Sequence, residues 1–150
     1  RIGVSAAEGL CYALEIPLIS VATLESLAQQ VHIENGIIIP MLDARRMEVY
    51  SAVFNQDYRQ IRETQAQVLD ESSFTSYLEQ GKVYFIGNGV VKTKEIIKHP
   101  NAVFIEDKLP SSNEMSGLAY NKHKKNDIED VAYFEPFYLK DFVAIKSKKK

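Results

Sequence analysis

Four charged side chains crowd one short stretch: Asp43, Arg45, Arg46 and Glu48. Neighbouring guanidinium groups can hold an anion bidentately, so this corner is a candidate phosphate or partner contact. The structural alternative is a salt-bridged hairpin in which Asp43 or Glu48 holds Arg45 or Arg46, because turns are commonly charged. No glycine lies between Asp43 and Glu48. The backbone N–H cradle of a glycine-rich phosphate loop is therefore missing, and an anion here would rest on side chains.

Gly87-Asn88-Gly89 is the second candidate, read between a strand and a helix, and offers at most a weak nucleotide contact at Gly87 and Gly89. A lone Gly-x-Gly carries little information, and strand-to-helix turns use glycine for steric reasons anyway. His32, His99 and His123 lie far apart, none with a His or Cys at ligand spacing, so no metal site is expected. No Gly-x-Ser-x-Gly is present to raise a nucleophilic serine. The residues therefore predict no catalytic site and require no cofactor.

These residues must be positioned by an ordered set of elements. Ile37 to Leu42 is a nearly unbroken apolar run, as a strand buried on both faces would be. Met47, Val49, Ser51 and Val53 alternate with Glu48, Tyr50, Ala52 and Phe54, the period of a pleated strand. Strands are expected at 36–43, 47–55 and 60–69, with Asn55-Gln56-Asp57 as a turn. A helix over 71–79 follows, capped by Asp70 or Ser72 and stopped at Gly81. Next come a strand at 82–86, a helix over 90–99 ended by Pro100, a strand at 102–105, and a helix over 111–125 capped by Ser112 or Asn113. The order β-β-β-α-β-α-β-α is that of a ribonuclease H-like lobe, the half-unit of the actin-like ATPase superfamily. Pro40 should make the first strand irregular, since proline removes a ladder donor.

Before Gly36 the pattern reads helix, short strand at 17–21, helix. The first helix is apolar nearly all round. Val4, Ala7, Cys11 and Leu14 form one seam; Ile2, Ala6, Gly9, Leu10 and Ala13 form another. Such a helix must be covered on two sides. Ser5, Gly9 and Ala13, four residues apart, would let another backbone approach closely. The seams are covered either by a preceding lobe or by a subunit interface.

Bulk properties exclude several classes. Hydrophobic residues make up 45% and charged residues 25%, a globular balance. The net charge of -2 gives no overall attraction to nucleic acid. A lone Cys11 cannot form an internal disulfide, which suits the cytoplasm. No apolar run approaches the ~20 residues that cross a bilayer. The closing Lys146-Ser147-Lys148-Lys149-Lys150 reads as a solvated tail, with non-specific phosphate attraction as its functional alternative.

Three segments carry a family resemblance. Asp43-Ala44-Arg45-Arg46-Met47-Glu48-Val49-Tyr50 resembles the Asp-Ala-Arg-(Arg/Met)-x-Glu-Val-Tyr element of the bacterial YeaZ/TsaB family. Arg1-Ile2-Gly3 through Ala7, Gly9 and Leu10 is similar to that family's Leu-Arg-Ile-Gly-x-x-x-Ala-x-Gly-Leu-Ala helix, followed as expected by Thr23-Leu24-Glu25. Pro136-Phe137-Tyr138-Leu139-Lys140 resembles its closing Pro-x-Tyr-Leu-Arg, with lysine for arginine.

The resemblance implies a non-catalytic subunit that pairs with a TsaD-type enzyme in threonylcarbamoyl modification of tRNA adenosine. It implies pairing through the first helix, at Ile2, Ser5, Ala6, Gly9, Leu10 and Ala13, or self-pairing into a homodimer. A TsaE-type ATPase of the same pathway is a further expected partner, with tRNA met only indirectly and no membrane contact. The His-x-x-x-His metal motif of catalytic TsaD relatives is absent. Against the family, most of an N-terminal lobe is expected to be missing, leaving residues 1–33 as its remnant and 34–150 as the C-terminal lobe. The rival reading is an actin-like-fold ATPase or small-molecule kinase with a degenerate nucleotide site.

Overall fold

A computed structural model describes residues 2–140. By packing the chain falls into two units. One holds the chain up to Leu18 with the segment from Glu129 onward; the other is Ile19–Ile128.

The larger unit is built on five strands: β1 (Ile37–Asp43), β2 (Glu48–Asn55), β3 (Gln60–Val68), β4 (Val83–Ile86) and β5 (Ala102–Ile105). Their spatial order is β3-β2-β1-β4-β5. The β1–β2–β3 meander is antiparallel, whereas β4 pairs parallel with β1, and β5 with β4. Helices α2 (Thr23–Ala28), α3 (Thr75–Leu78), α4 (Val90–Ile96) and α5 (Asn113–Lys124) complete the unit. From β1 onward this is the ribonuclease H-like order read from the sequence.

The apolar run of β1 is buried on both faces, as its lack of alternation requires. Ile39 and Met41 join Val49, Val53, Phe74, Phe85 and Ile97 in one core. Ile38 joins Ala52, Phe54 and Ile86 in a second, closed by Leu24, Leu27, Ala28 and Val31 of and beyond α2. Residues before Gly36 thus supply half of a core.

Pro40 sits in the central strand, fully buried. Its irregularity is a gap: pairing with β2 lapses opposite Ile39 and Pro40, with the same register on either side. Parallel pairing with β4 continues through Pro40 and Ile86. The register shifts lie instead between β2 and β3, around Ser51, Val53 and Phe54.

Three expected elements are corrected. The helix over 71–79 shrinks to α3, because Phe74 adopts φ 65 and breaks it. That conformation delivers the Phe74 ring to the core, edge-on to Phe85 at 5.5 Å. Asp70 still accepts from Ser72 N–H (2.9 Å) and from the Ser73 hydroxyl (3.0 Å), capping a turn rather than a long helix. The helix over 90–99 ends at Ile96, where Ile97 turns extended and enters the core. The strand at 17–21 is reduced to one antiparallel bridge between Leu18 and Glu129, closed by Glu129 N–H to the Leu18 carbonyl at 2.8 Å.

In the smaller unit, α1 (Ile2–Leu14) has no fully buried residue. Val4, Ala7, Glu8 and Cys11 are half-buried, while Ile2, Ser5, Ala6, Gly9, Leu10 and Ala13 are all exposed. No described helix is long and apolar enough to cross a membrane.

Candidate functional site

The two candidates separated in the sequence by some forty residues meet in space. Parallel pairing places the ends of β1 and β4 side by side, at the carboxyl edge where open α/β sheets carry their sites. The Asp43 N–H donates to Asn88 Oδ1 at 2.9 Å, and the Gly89 N–H donates to the Met41 carbonyl at 3.4 Å.

Both glycines are accounted for by this close approach. Gly87 has φ +117, and a Cβ there would overlap the Met41 carbonyl oxygen and crowd Leu27. A Cβ on Gly89 would lie 3.0 Å from the Val49 side chain. Their geometry is that of a turn seated on β1, and needs no ligand to explain it.

The corner is held from outside itself. Lys92 of α4 donates to Asp43 Oδ1 (3.0 Å), the Arg46 carbonyl (2.8 Å) and the Glu48 carbonyl (2.6 Å). The Arg45 N–H also donates to Asp43 Oδ1, at 2.6 Å. The sequence reading had Asp43 or Glu48 hold Arg45 or Arg46; Asp43 is held by the ammonium of Lys92. That N–H and then Lys92 hold the Asp43 carboxyl below its ordinary pKa of 3.8, with partial burial opposing them. Arg45 and Arg46 have φ 69 and 49, two consecutive left-handed residues without a glycine. Their side chains are exposed, and Met47 beside them is 40% exposed.

Sequence reasoning missed Lys92, which no local pattern announces, and met Asn88 only as the middle of Gly87-Asn88-Gly89. It also missed Arg62, whose guanidinium donates to Ser51 Oγ (2.7 Å) and Gln67 Oε1 (3.0 Å) and lies 5.1 Å from the Phe74 ring centre. Burial lowers the Arg62 pKa, and among the described residues its Nε has no hydrogen-bond partner. A separate open groove of 610 Å³ runs past Glu25, Tyr58, Glu114, Asn121, Lys122 and Asp127. None of the candidate site residues read from the sequence lines it. Among the described residues, no three His, Cys, Asp or Glu side chains are grouped to hold a metal ion. Lys146–Lys150 lie outside the described residues.

Known proteins share this arrangement of sequence and fold. The family described as tRNA N6-adenosine threonylcarbamoyltransferase, TsaD, matches residues 1–148. The tRNA threonylcarbamoyladenosine biosynthesis protein TsaB of Escherichia coli (strain K12) is 31% identical over 155 residues, spanning 97% of this chain and 67% of that protein. The chain belongs to the TsaB family. TsaB of Bacillus subtilis (strain 168) is 30% identical over 148 residues, spanning 93% of this chain and 63% of its own length.

The fold agrees with that membership. A Pseudomonas aeruginosa protein described as uncharacterized, with similarity to peptidase YeaZ, superposes with a TM-score of 0.79 at 22% identity, covering 93% of this chain and 67% of that one. YeaZ from Pseudomonas aeruginosa gives 0.73 at 23%, covering 93% and 66%. Identities this low speak for the fold alone. The chain spans about two thirds of the length of the TsaB relatives and of these two structures.

Proposed function

We propose that this chain is part of a TsaB-type subunit with no chemistry of its own, which pairs with and supports a TsaD-type enzyme in threonylcarbamoyl modification of adenosine in tRNA. Its second expected partner is the TsaE-type ATPase of the pathway. In isolation the same surface pairs two copies of the chain. Contact with tRNA is indirect, and the setting is the cytoplasm. Residues 1–33 then belong by descent to a preceding lobe, although α2 now closes a core of the sheet.

The observation that carries this reading is the uncovered seam of α1. Ile2 is 90% exposed and Leu10 61%. Gly9 faces open space, with no atom within 4 Å of where a Cβ would stand. Burying one such Leu or Ile at an interface contributes roughly 1.5–3 kcal/mol, and a glycine between them lets a partner helix approach closely. Contiguous exposed apolar surface of this kind marks interaction sites.

The rival reading, an actin-like ATPase or small-molecule kinase, draws only on the position of Gly87 and Gly89. Packing against β1 already accounts for both. The deciding experiment is affinity for the TsaD-type subunit of the same organism, measured by calorimetry with Gly9→Leu beside the unaltered protein. Because Gly9 faces open space, the variant folds normally and binds at least about tenfold more weakly, the loss of ~1.4 kcal/mol. Equal affinity would remove α1 from the interface. ATP turnover that scales with this protein alone would restore the enzyme reading.

A further inference from the structure

Arg45 and Arg46 occupy backbone conformations that cost an L-residue roughly 1–2 kcal/mol each, and glycine or asparagine would avoid most of that cost. The strain is held by two groups from outside the corner, the Lys92 ammonium and the Asn88 amide, together with the corner's own Asp43 carboxylate. Lys92 is the centre of this set, with a side chain only 13% exposed. An ammonium has three N–H donors, and all three acceptors here belong to the corner itself. Lys92 is therefore saturated and has nothing left to offer a ligand.

We propose that Lys92 is a positioning residue, fixing Arg45 and Arg46 to receive carboxylates on the surface of the catalytic partner. The inference rests on the partner-subunit reading above. A guanidinium held on a rigid loop loses less freedom on binding than one on a mobile loop, and its planar fork matches a carboxylate. Arginine beside an exposed methionine, here Met47, is a composition that protein interfaces favour.

Phosphate is disfavoured on three counts. Two backbone donors of the corner are already committed: Arg45 N–H to Asp43 Oδ1, and Glu48 N–H to the Arg45 carbonyl at 3.2 Å. The corner contains no glycine to form a cradle. With a net charge of -2, the chain lacks the broad basic field on which nucleic-acid affinity depends.

The test is a double-mutant cycle on the full-length protein, with the same organism's TsaD-type subunit as the probe. Affinities are measured for the unaltered protein, Lys92→Met, the pair Arg45→Ala with Arg46→Ala, and all three changes together. Removing both arginines should weaken binding by at least about tenfold, and Lys92→Met alone by at least about threefold. In the background lacking both arginines, Lys92→Met should have no further effect. Raising salt from about 0.05 to 0.5 M should weaken the unaltered protein more than the arginine-free one.

Near-ultraviolet circular dichroism confirms that each variant is folded, and Lys92→Gln replaces Lys92→Met should the latter fail. A Lys92 effect that persists undiminished without the arginines would reduce Lys92 to a structural residue and overturn the proposal. So would unchanged affinity in the arginine-free protein, or loss of tRNA binding with partner affinity intact. Failure of the unaltered protein to bind the partner at all overturns the subunit reading, and this inference with it. Binding of undiminished affinity without the arginines overturns this inference alone.

Discussion

Helix α1 and strand β1 are both strongly apolar, yet they meet opposite fates. Every residue from Ile38 to Met41 is buried, on both faces of the sheet. In α1, thirteen residues long, none is fully buried. The difference lies in what the rest of the chain supplies. β1 has a hairpin partner on one side, a parallel partner on the other, and a core above and below. Among the described residues, the exposed seam of α1 has none of these. The same composition reads as a stability element in one place and as an unfilled contact in the other.

The contrast can be tested at its extremes. Phe85→Ala should destabilise the larger unit by about 3–5 kcal/mol, seen in chemical denaturation, because it empties the centre of the first core. Leu10→Ala should leave that unfolding curve within about 0.5 kcal/mol of the original while weakening association. Equal destabilisation by the two would mean that α1 is covered by its own chain.

Gly87→Ala should cost at least about 2 kcal/mol, from a side chain forced into a left-handed conformation against the Met41 carbonyl. A loss under half of that would show that the turn is free to shift off β1.

The acidic limb of stability should respond next. Asp43 and Asp70 are both held below their ordinary pKa of 3.8. Their contribution is therefore fully present above about pH 3.8 and lost as pH falls through the lower folded values. Melting temperature followed downward from pH 6 should drop in that window, and Asp43→Asn should flatten part of the drop. An unchanged profile would mean that Lys92 and Arg45 hold the corner without the carboxylate.

Smallest is the effect of replacing Arg45 and Arg46 by glycine. Relief of the left-handed strain should stabilise the fold, by up to about 1 kcal/mol per site after the entropy that glycine adds to the unfolded chain. Affinity for the partner should fall at the same time. A variant that is both more stable and fully competent to bind would leave the arginines without a purpose.

The strands were legible because their periodicity is a local consequence of burial. Ile37 to Leu42 read as a doubly covered strand, and 47–55 as an alternating one. What failed was local propensity overruled from a distance. Residues 71–79 look helical, but Phe74 belongs in the core and the backbone bends to deliver it. The corner was half legible: Asp43, Arg45, Arg46 and Glu48 announced a charged turn. Lys92, which holds it, lies 49 residues from Asp43, and nothing in its helix sets it apart from a solvated lysine. The glycines at 87 and 89 were seen, while the strand carbonyl that requires the first of them emerged only once β1 and β4 were paired.

The parallel pairing of β1 with β4 has a consequence for synthesis. The meander is local and can form as soon as β3 has left the ribosome. β1 then waits, one edge paired and the other bare, through the whole of α3 before β4 can close the sheet. Distant pairings of this kind slow folding, because the loop must be ordered before the contact rewards it. Until then the nascent chain carries an open apolar strand, and with it a need for protection that the finished molecule no longer shows.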